Sequence, residues 1–227
     1  MKRKPIKPVL RTAYQAVQKL HLKSYELYQP VIGSNGMIAG TRDCEDRWKS
    51  IHEVMTTHDC HSVVDLGCSE GYYVLQSAKA GIGFCVGVDF DLRRIMTCQS
   101  QVVLNDLPRA SFLISEVTPE LLDSIPKFDA VIFLSVLHHI MYQKGVDHCR
   151  EIMTRLAKKT GKALIFEMGQ SDEHKESWAK DMPDMGSDPH AWIADFLKEA
   201  GYGTVEKIGE TDAYLRETRR ALFKALP

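Results

Sequence analysis

The stretch Val63–Asp91, VVDLGCSEGYYVLQSAKAGIGFCVGVDFD, decides how the rest of the chain is read. An apolar run carries an acid, Asp65, just before Gly67. Gly67 and Gly71 stand four apart with Cys68, Ser69 and Glu70 between them, and a second apolar run ends at Asp89, 24 residues after Asp65. The pattern predicts strand, tight turn, helix, strand. Glycine lets such a turn take positive φ and approach a ligand closely. The free N–H groups that open the helix favour negative charge, and in an open parallel sheet ligands bind beyond the carboxyl ends of the strands. A carboxylate at Asp89 can accept both hydroxyls of a ribose.

Outward from this stretch, apolar runs and helical segments alternate. Strands are predicted at His61–Gly67, Phe84–Phe90, Ala110–Glu116, Phe128–Ser135 and Lys162–Met168, and helices at Tyr72–Ala80, Leu92–Leu104, Gln143–Ala157 and Asp188–Ala200. The strands are continuously apolar, as strands buried on both faces are. Two last strands, Gly203–Glu210 and Arg220–Leu226, follow without an intervening helix and read as an antiparallel hairpin. The expected fold is therefore α/β: a Rossmann-like, doubly wound, seven-stranded, mostly parallel sheet with an antiparallel C-terminal hairpin, preceded by N-terminal helices. The first of these is expected over Pro8–Tyr28, ended by Pro30. A loop follows at Gly33–Gly40, then a second helix over Thr41–Met55, capped by Thr41 or Asp43. Residues 1–58 are read as a basic helical extension and 59–227 as one domain. The polar segment Gly169–Pro189 is long and holds two prolines, and it reads as a lid-like insertion. Together with the first helix it is expected to cover an acceptor pocket.

The chain of 227 residues is 44% hydrophobic and 26% charged, which suits an ordinary globular protein. Its longest apolar run, Ala130–Leu137, is far short of the roughly 20 residues a membrane span needs, and the basic start is not followed by a secretory h-region. The six cysteines form no CxxC pair, and the nine histidines join no cysteine or carboxylate cluster of metal-ligand spacing. Reduced, mostly buried thiols, no metal and a cytoplasmic location are expected. The net charge of −1 hides an asymmetry. Residues 1–25 hold Lys2, Arg3, Lys4, Lys7, Arg11, Lys19 and Lys23 and no acid, a surplus of +7 that leaves −8 for the remainder. Such an arm suits an anionic partner: RNA, a lipid headgroup at the inner membrane surface, or an acidic substrate.

Two cofactor classes compete for the loop. A dinucleotide fingerprint, GxGxxG, is not matched by glycines four apart. Asp65 would also crowd a pyrophosphate, whereas it suits a ligand carrying an ammonium group. The segments D-x-G-C-S-E-G, G-V-D and F-D-A-V-I-F-L-S-V-L-H-H-I together resemble the class I S-adenosylmethionine-dependent methyltransferases over residues 60–226. The resemblance implies that Asp65 holds the methionine amino group and that Gly67, Cys68, Ser69 and Gly71 form the loop past the methionine part and ribose. It also implies Asp89 on the ribose, with Phe90 beside the adenine. Glu116, with Ser115 or the Val117 backbone as alternatives, falls by the adenine amine, and Ser135 falls by the methionine part. Ser69 stands where glycine is usual.

Methyl transfer from a sulfonium needs alignment and exclusion of water, and a hydroxyl acceptor also needs a general base. His138, His139 and Glu167 are the candidates, with His174 and His190 further off. The flanking segments RDCEDRWKSI and AGYGTVEKIGETD resemble, more loosely, enzymes of tRNA wobble uridine and enzymes that methylate sugars or phosphates in surface-polysaccharide assembly. O-methylation of a small molecule or a glycan or lipid-linked intermediate is the leading expectation. RNA methylation and a non-catalytic cofactor-binding subunit are the alternatives.

Overall fold

A computed structural model describes residues 8–33, 36–212 and 218–227; Lys2, Arg3, Lys4 and Lys7 of the basic arm lie outside these. The described chain opens with helix α1 (Pro8–His21), a short hairpin of β1 (Val31–Gly33) and β2 (Gly36–Ile38), and helix α2 (Glu45–Thr57). Three expectations are corrected here. The first helix stops at His21 rather than Tyr28: Ser24 donates its hydroxyl to the His21 carbonyl, and the chain turns. The loop expected over 33–40 contains one arm of a hairpin. Neither Thr41 nor Asp43 is the cap expected of the second helix: Cys44 takes that position without a side-chain bond, and Asp43, one residue earlier, accepts the Glu45 N–H on its carboxylate.

The remaining elements are β3 (Ser62–Leu66), α3 (Tyr72–Lys79), β4 (Phe84–Asp89), α4 (Leu92–Asn105), β5 (Ala110–Ile114), α5 (Pro119–Ser124), β6 (Phe128–Leu134), α6 (Leu137–Lys144), α7 (Val146–Lys159), β7 (Thr160–Glu167), α8 (Pro189–Glu199), β8 (Thr204–Asp212) and β9 (Arg219–Leu226). The expected helix over 143–157 is two helices, broken at Gly145, whose φ of +84° suits glycine. The sheet order is β5-β4-β3-β6-β7-β9-β8; the first five strands are parallel, and β9 runs antiparallel to both neighbours. The chain winds from β3 to one edge and then restarts at β6 on the other side. The switch point therefore lies between β3 and β6, where a ligand crevice forms in such sheets.

Successive residues of a strand point to opposite faces, and two cores result. Val64, Leu66, Val131, Phe133, Leu164 and Phe166 pack on one face under α7 and α8. Val63, Cys85, Ala130, Ile132, Ala163 and Ile165 pack on the other under α2, α3 and α4. All six cysteines are buried free thiols. The polar insertion is not a loose flap. Trp178, Ala179, Met182 and Met185 bury into the first core, and each such apolar side chain contributes about 1.5–3 kcal/mol when fully buried.

Candidate active site

The carboxyl ends of β3, β4, β5 and β6 open into a cavity of about 930 Å3. Gly67, Ser69, Asp89, Phe90, Ser115, Glu116, Val117, Ser135, His138 and His139 all line it, as the sequence pattern expects of one site. Asp65, Cys68, Gly71 and Glu167 do not. Cys68 turns its thiol into the core, and its N–H donates to the Val88 carbonyl. Gly71, at φ +79°, starts α3, and a Cβ there would meet Phe112 at 2.7 Å.

The loop conformation explains its residues. Gly67 sits at φ +80°, and a Cβ on it would lie 2.2 Å from Val136 Cγ2. Ser69 occupies the left-handed region at φ +53°, which costs a non-glycine residue strain. Hydrogen bonds offset that cost. The Ser69 N–H donates to Asp89 Oδ2 at 2.8 Å, and its hydroxyl donates to Glu70 Oε2 at 2.6 Å. Asp89 accepts a second N–H, from Asp91, on its other oxygen at 2.9 Å. Both bonds fix the carboxylate at the cavity wall and leave lone pairs facing it. Burial raises the Asp89 pKa; the Asp91 and Ser69 N–H groups, then Arg94, limit the rise.

Asp65 is of another kind. Its neighbours across the sheet are Gly87 and Ile132, it is 2% exposed, and Oδ2 has no hydrogen-bond partner among the described residues. Burial first, and then the charge of Asp89, push its pKa well above the carboxylate range. A buried acid without a partner is costly, and a cationic ligand group would relieve it. The ammonium of a methionine moiety fits that need, and the cradle at Gly67 admits a ligand without a Cβ in the way.

Glu167 ends β7 fully buried and crowded with partners. Arg47 Nε donates to Oε2 at 2.7 Å, Arg42 Nη2 to Oε1 at 3.4 Å, and the Ser135 and Thr211 hydroxyls add bonds of 2.7 and 3.0 Å. Burial alone would raise its pKa, but Arg47, Arg42 and Arg220 outweigh it, with help from Ser135, and hold the group below the ordinary range. Such a carboxylate has little basicity left for catalysis, so the expectation of a catalytic base at Glu167 is corrected. It acts as the anchor of the arginines around it. Ser135, at φ +58°, is held here by Glu167 on both its N–H and its hydroxyl.

The two histidines differ as well. His138 is buried, and its Nδ1 accepts the Gly169 N–H at 3.0 Å, which puts the ring proton on Nε2. Burial, then His139, Arg220 and Arg42, push its pKa well down. His139 keeps an exposed face at the cavity and is lowered by partial burial and then by Arg220. Both shifts favour the neutral ring, and Trp178 of the insertion packs against His138 at 4.4 Å between ring centroids.

Several residues escaped the sequence reading. Glu70, buried inside the glycine loop, accepts the backbone N–H groups of Tyr28 at 3.2 Å and Gln29 at 2.9 Å and pairs with Arg94 at 2.6 Å. Gln29 in turn accepts the Tyr72 N–H that opens α3. The N-terminal segment is thereby stitched to the cofactor-type loop, and Glu26, Tyr28, Thr41 and Arg42 form a wall of the cavity. Next to Arg42 around Glu167, Arg220 makes a bidentate pair with Glu173 of the insertion, both bonds 2.7 Å, and lies over the Trp178 ring. A signal existed for Glu70, an acid between motif glycines; Arg220 and Glu173 carried none.

Residues 57–219 match a family model described as a methyltransferase domain, and the chain belongs to that family, the class I S-adenosylmethionine-dependent methyltransferases. Among relatives it is 29% identical over 208 residues to the O-antigen chain terminator bifunctional methyltransferase/kinase WbdD of Escherichia coli, covering 87% of this chain and 27% of that protein. It is 26% identical over 196 residues to the tRNA U34 carboxymethyltransferase of Mannheimia succiniciproducens, covering 78% of this chain and 57% of that one. The chain thus spans only part of these relatives. A crystal structure of WbdD superposes with a TM-score of 0.77 at 27% identity, over 92% of this chain and 46% of that one. The N-terminal domain of EvdMO1, solved with SAH bound, has a TM-score of 0.68 at 16% identity, over 95% and 96%, and shares the fold.

Proposed function

We propose that this enzyme methylates an oxygen of a small molecule or of a glycan or lipid-linked intermediate. The observation behind the reading is one cavity lined by two chemically distinct sets of side chains. Asp89, Phe90, Glu116 and Val117 form one set with Gly67 and Ser69 of the loop, and Asp65 is buried two residues before Gly67. Arg42, Lys144, His139, His148 and Arg220 form the other. S-adenosylmethionine, held by the first set, supplies an electrophilic methyl group. The chain's own residues orient it: Asp65 takes the ammonium, Asp89 the ribose hydroxyls and Phe90 one adenine face. The enclosing walls exclude water and hold the acceptor in line. His139, neutral and exposed to the cavity, accepts the proton of the acceptor hydroxyl as the oxygen attacks. His138, with its proton on Nε2, packs its ring against its neighbour's at 4.1 Å in a tilted contact and keeps it in place.

The relative at 29% identity, an O-antigen chain terminator, supports a glycan acceptor. The tRNA enzyme at 26% supports RNA as the second reading. Incubation with methyl-labelled cofactor and fractionated cell extract separates them. Label in lipid-linked glycan or small metabolites is expected; label confined to RNA overturns the reading. His139→Gln should lower kcat about 100-fold or more while leaving cofactor affinity unchanged, and an unchanged kcat would remove His139 as the base.

A further inference from the structure

Helix α1 is amphipathic in the wrong sense for a helix at rest on a protein. Its contact with α4 is polar: Gln18 is 4% exposed and donates from Nε2 to Ser100 Oγ at 3.1 Å, and His21 Nε2 donates to the Arg93 carbonyl at 2.8 Å. At about 100° per residue, Val9, Ala13 and Leu20 project from the side opposite Gln18, with Leu10 and Val17 on one flank and Lys19 on the other. Val9 is 79%, Val17 60% and Leu20 74% exposed. A surface helix ordinarily turns its apolar stripe inward; here hydrogen bonds dock the polar side and the stripe faces away. The helix holds Arg11 and Lys19, Lys23 follows two residues beyond it, and residues 1–25 contain no acid.

We infer that the outward face of α1 docks on an anionic lipid surface. An interfacial helix combines an aliphatic stripe with basic flanks, burying the first at the acyl boundary while the second meets anionic headgroups. Charge complementarity selects this occupant. A second copy laid face to face would oppose two sets of basic residues. Single-stranded RNA is held by stacking on aromatic rings, and this face offers aliphatic side chains, with Tyr14 turned to the docked side about 40° from Gln18. No helix among the described residues is long and apolar enough to cross a membrane, so the contact is with the surface. The docked helix leads directly into Glu26, Tyr28 and Arg42 at the cavity wall, which places the active-site mouth near that surface whatever acceptor the enzyme takes.

Sedimentation of the full chain with phosphatidylcholine vesicles containing about one-third phosphatidylglycerol should carry the protein down, and pure phosphatidylcholine should not. Salt at about 0.5 M should release it, because screening removes the headgroup attraction. The double variant Val17→Asp/Leu20→Asp touches no packed residue and should keep its melting temperature while losing at least about tenfold in vesicle affinity. Lys19→Glu/Lys23→Glu should lose about tenfold or more, as each basic residue contributes roughly fivefold near such a surface. Absence of binding to the anionic vesicles overturns the inference, as does binding that Val17→Asp/Leu20→Asp leaves unchanged. A concentration-dependent dimer abolished by the same variant, or RNA that displaces the protein from vesicles, would assign the face to those partners instead. None of these results depends on methyl transfer.

Discussion

Asp65 and Glu167 end neighbouring regions of the same sheet and are buried to nearly the same degree, yet they are electrostatic opposites. Asp65, near the end of β3, has one oxygen without a partner and a pKa pushed up by burial and by Asp89. Glu167, at the end of β7, is bonded by two arginines and two hydroxyls with a third arginine nearby, and its pKa is pulled down. A buried charge without a partner costs stability, whereas removal of one member of a satisfied buried set leaves the others uncompensated. The contrast separates ligand seat from scaffold. On the proposed function, the acid left wanting a cation beside the switch-point crevice is the binding group, and the acid already surrounded by cations holds the arginines in place.

Substitution at each acid should sharpen that contrast. The largest expected effect is at the scaffold. Glu167→Gln leaves Arg47 and Arg42 buried against a neutral amide and should cost about 3–5 kcal/mol of folding stability, measured by denaturant unfolding; a loss under about 1 kcal/mol would mean that the arginines are satisfied elsewhere. Next comes Glu70→Gln, which weakens the acceptor of the Tyr28 and Gln29 N–H groups. A loss of about 1–3 kcal/mol is expected, read as faster amide exchange at those two residues, and unchanged exchange would detach the N-terminal segment from the loop. Asp65→Asn should act in the reverse direction, raising the melting temperature of the ligand-free protein by removing an unpaired buried charge. The gain is expected at neutral pH, where burial and Asp89 make the charged form costly, and a lower melting temperature would mean that the carboxylate is satisfied in the ligand-free fold.

The two acids also oppose each other in pH dependence. The folded pKa of Glu167 is depressed, so its contribution to stability is present above its unfolded value near 4.5 and is lost as pH falls through the lower folded value. That of Asp65 is raised, so its contribution is present below its unfolded value near 3.8 and is lost as pH rises through the higher folded value. Melting temperatures followed from pH 3 to pH 8 should lose the acid-side fall in Glu167→Gln and the decline toward neutral pH in Asp65→Asn. Identical profiles in wild type and both variants would erase the distinction.

The part of this legible in the sequence was local. Continuous apolar runs, the glycine spacing and the acids at two strand ends are patterns within 30 or so residues, and they gave the sheet and the cofactor end of the cavity. Ser69 was readable as a departure from glycine; why it is tolerated was not, because its hydroxyl needs Glu70 and its N–H needs Asp89 in place. The other wall is built from pairs far apart in the chain. Arg47 reaches Glu167 across 120 residues and Arg220 reaches Glu173 across 47, separations that leave no periodicity to read. The packing of the polar insertion was unreadable for a related reason: its acid Glu173 pairs with Arg220 on β9, and its few apolar residues, led by Trp178, bury despite polar neighbours.

The measurement that bears most directly on Asp65 is calorimetric titration of S-adenosylmethionine into wild type and Asp65→Asn at neutral pH, with the melting temperature of each taken in parallel. The account predicts binding to wild type, and an affinity at least about 30-fold weaker in a variant that melts no lower, because the lost partner of a buried charge costs roughly 2–5 kcal/mol. Equal affinities in two equally folded proteins would contradict it.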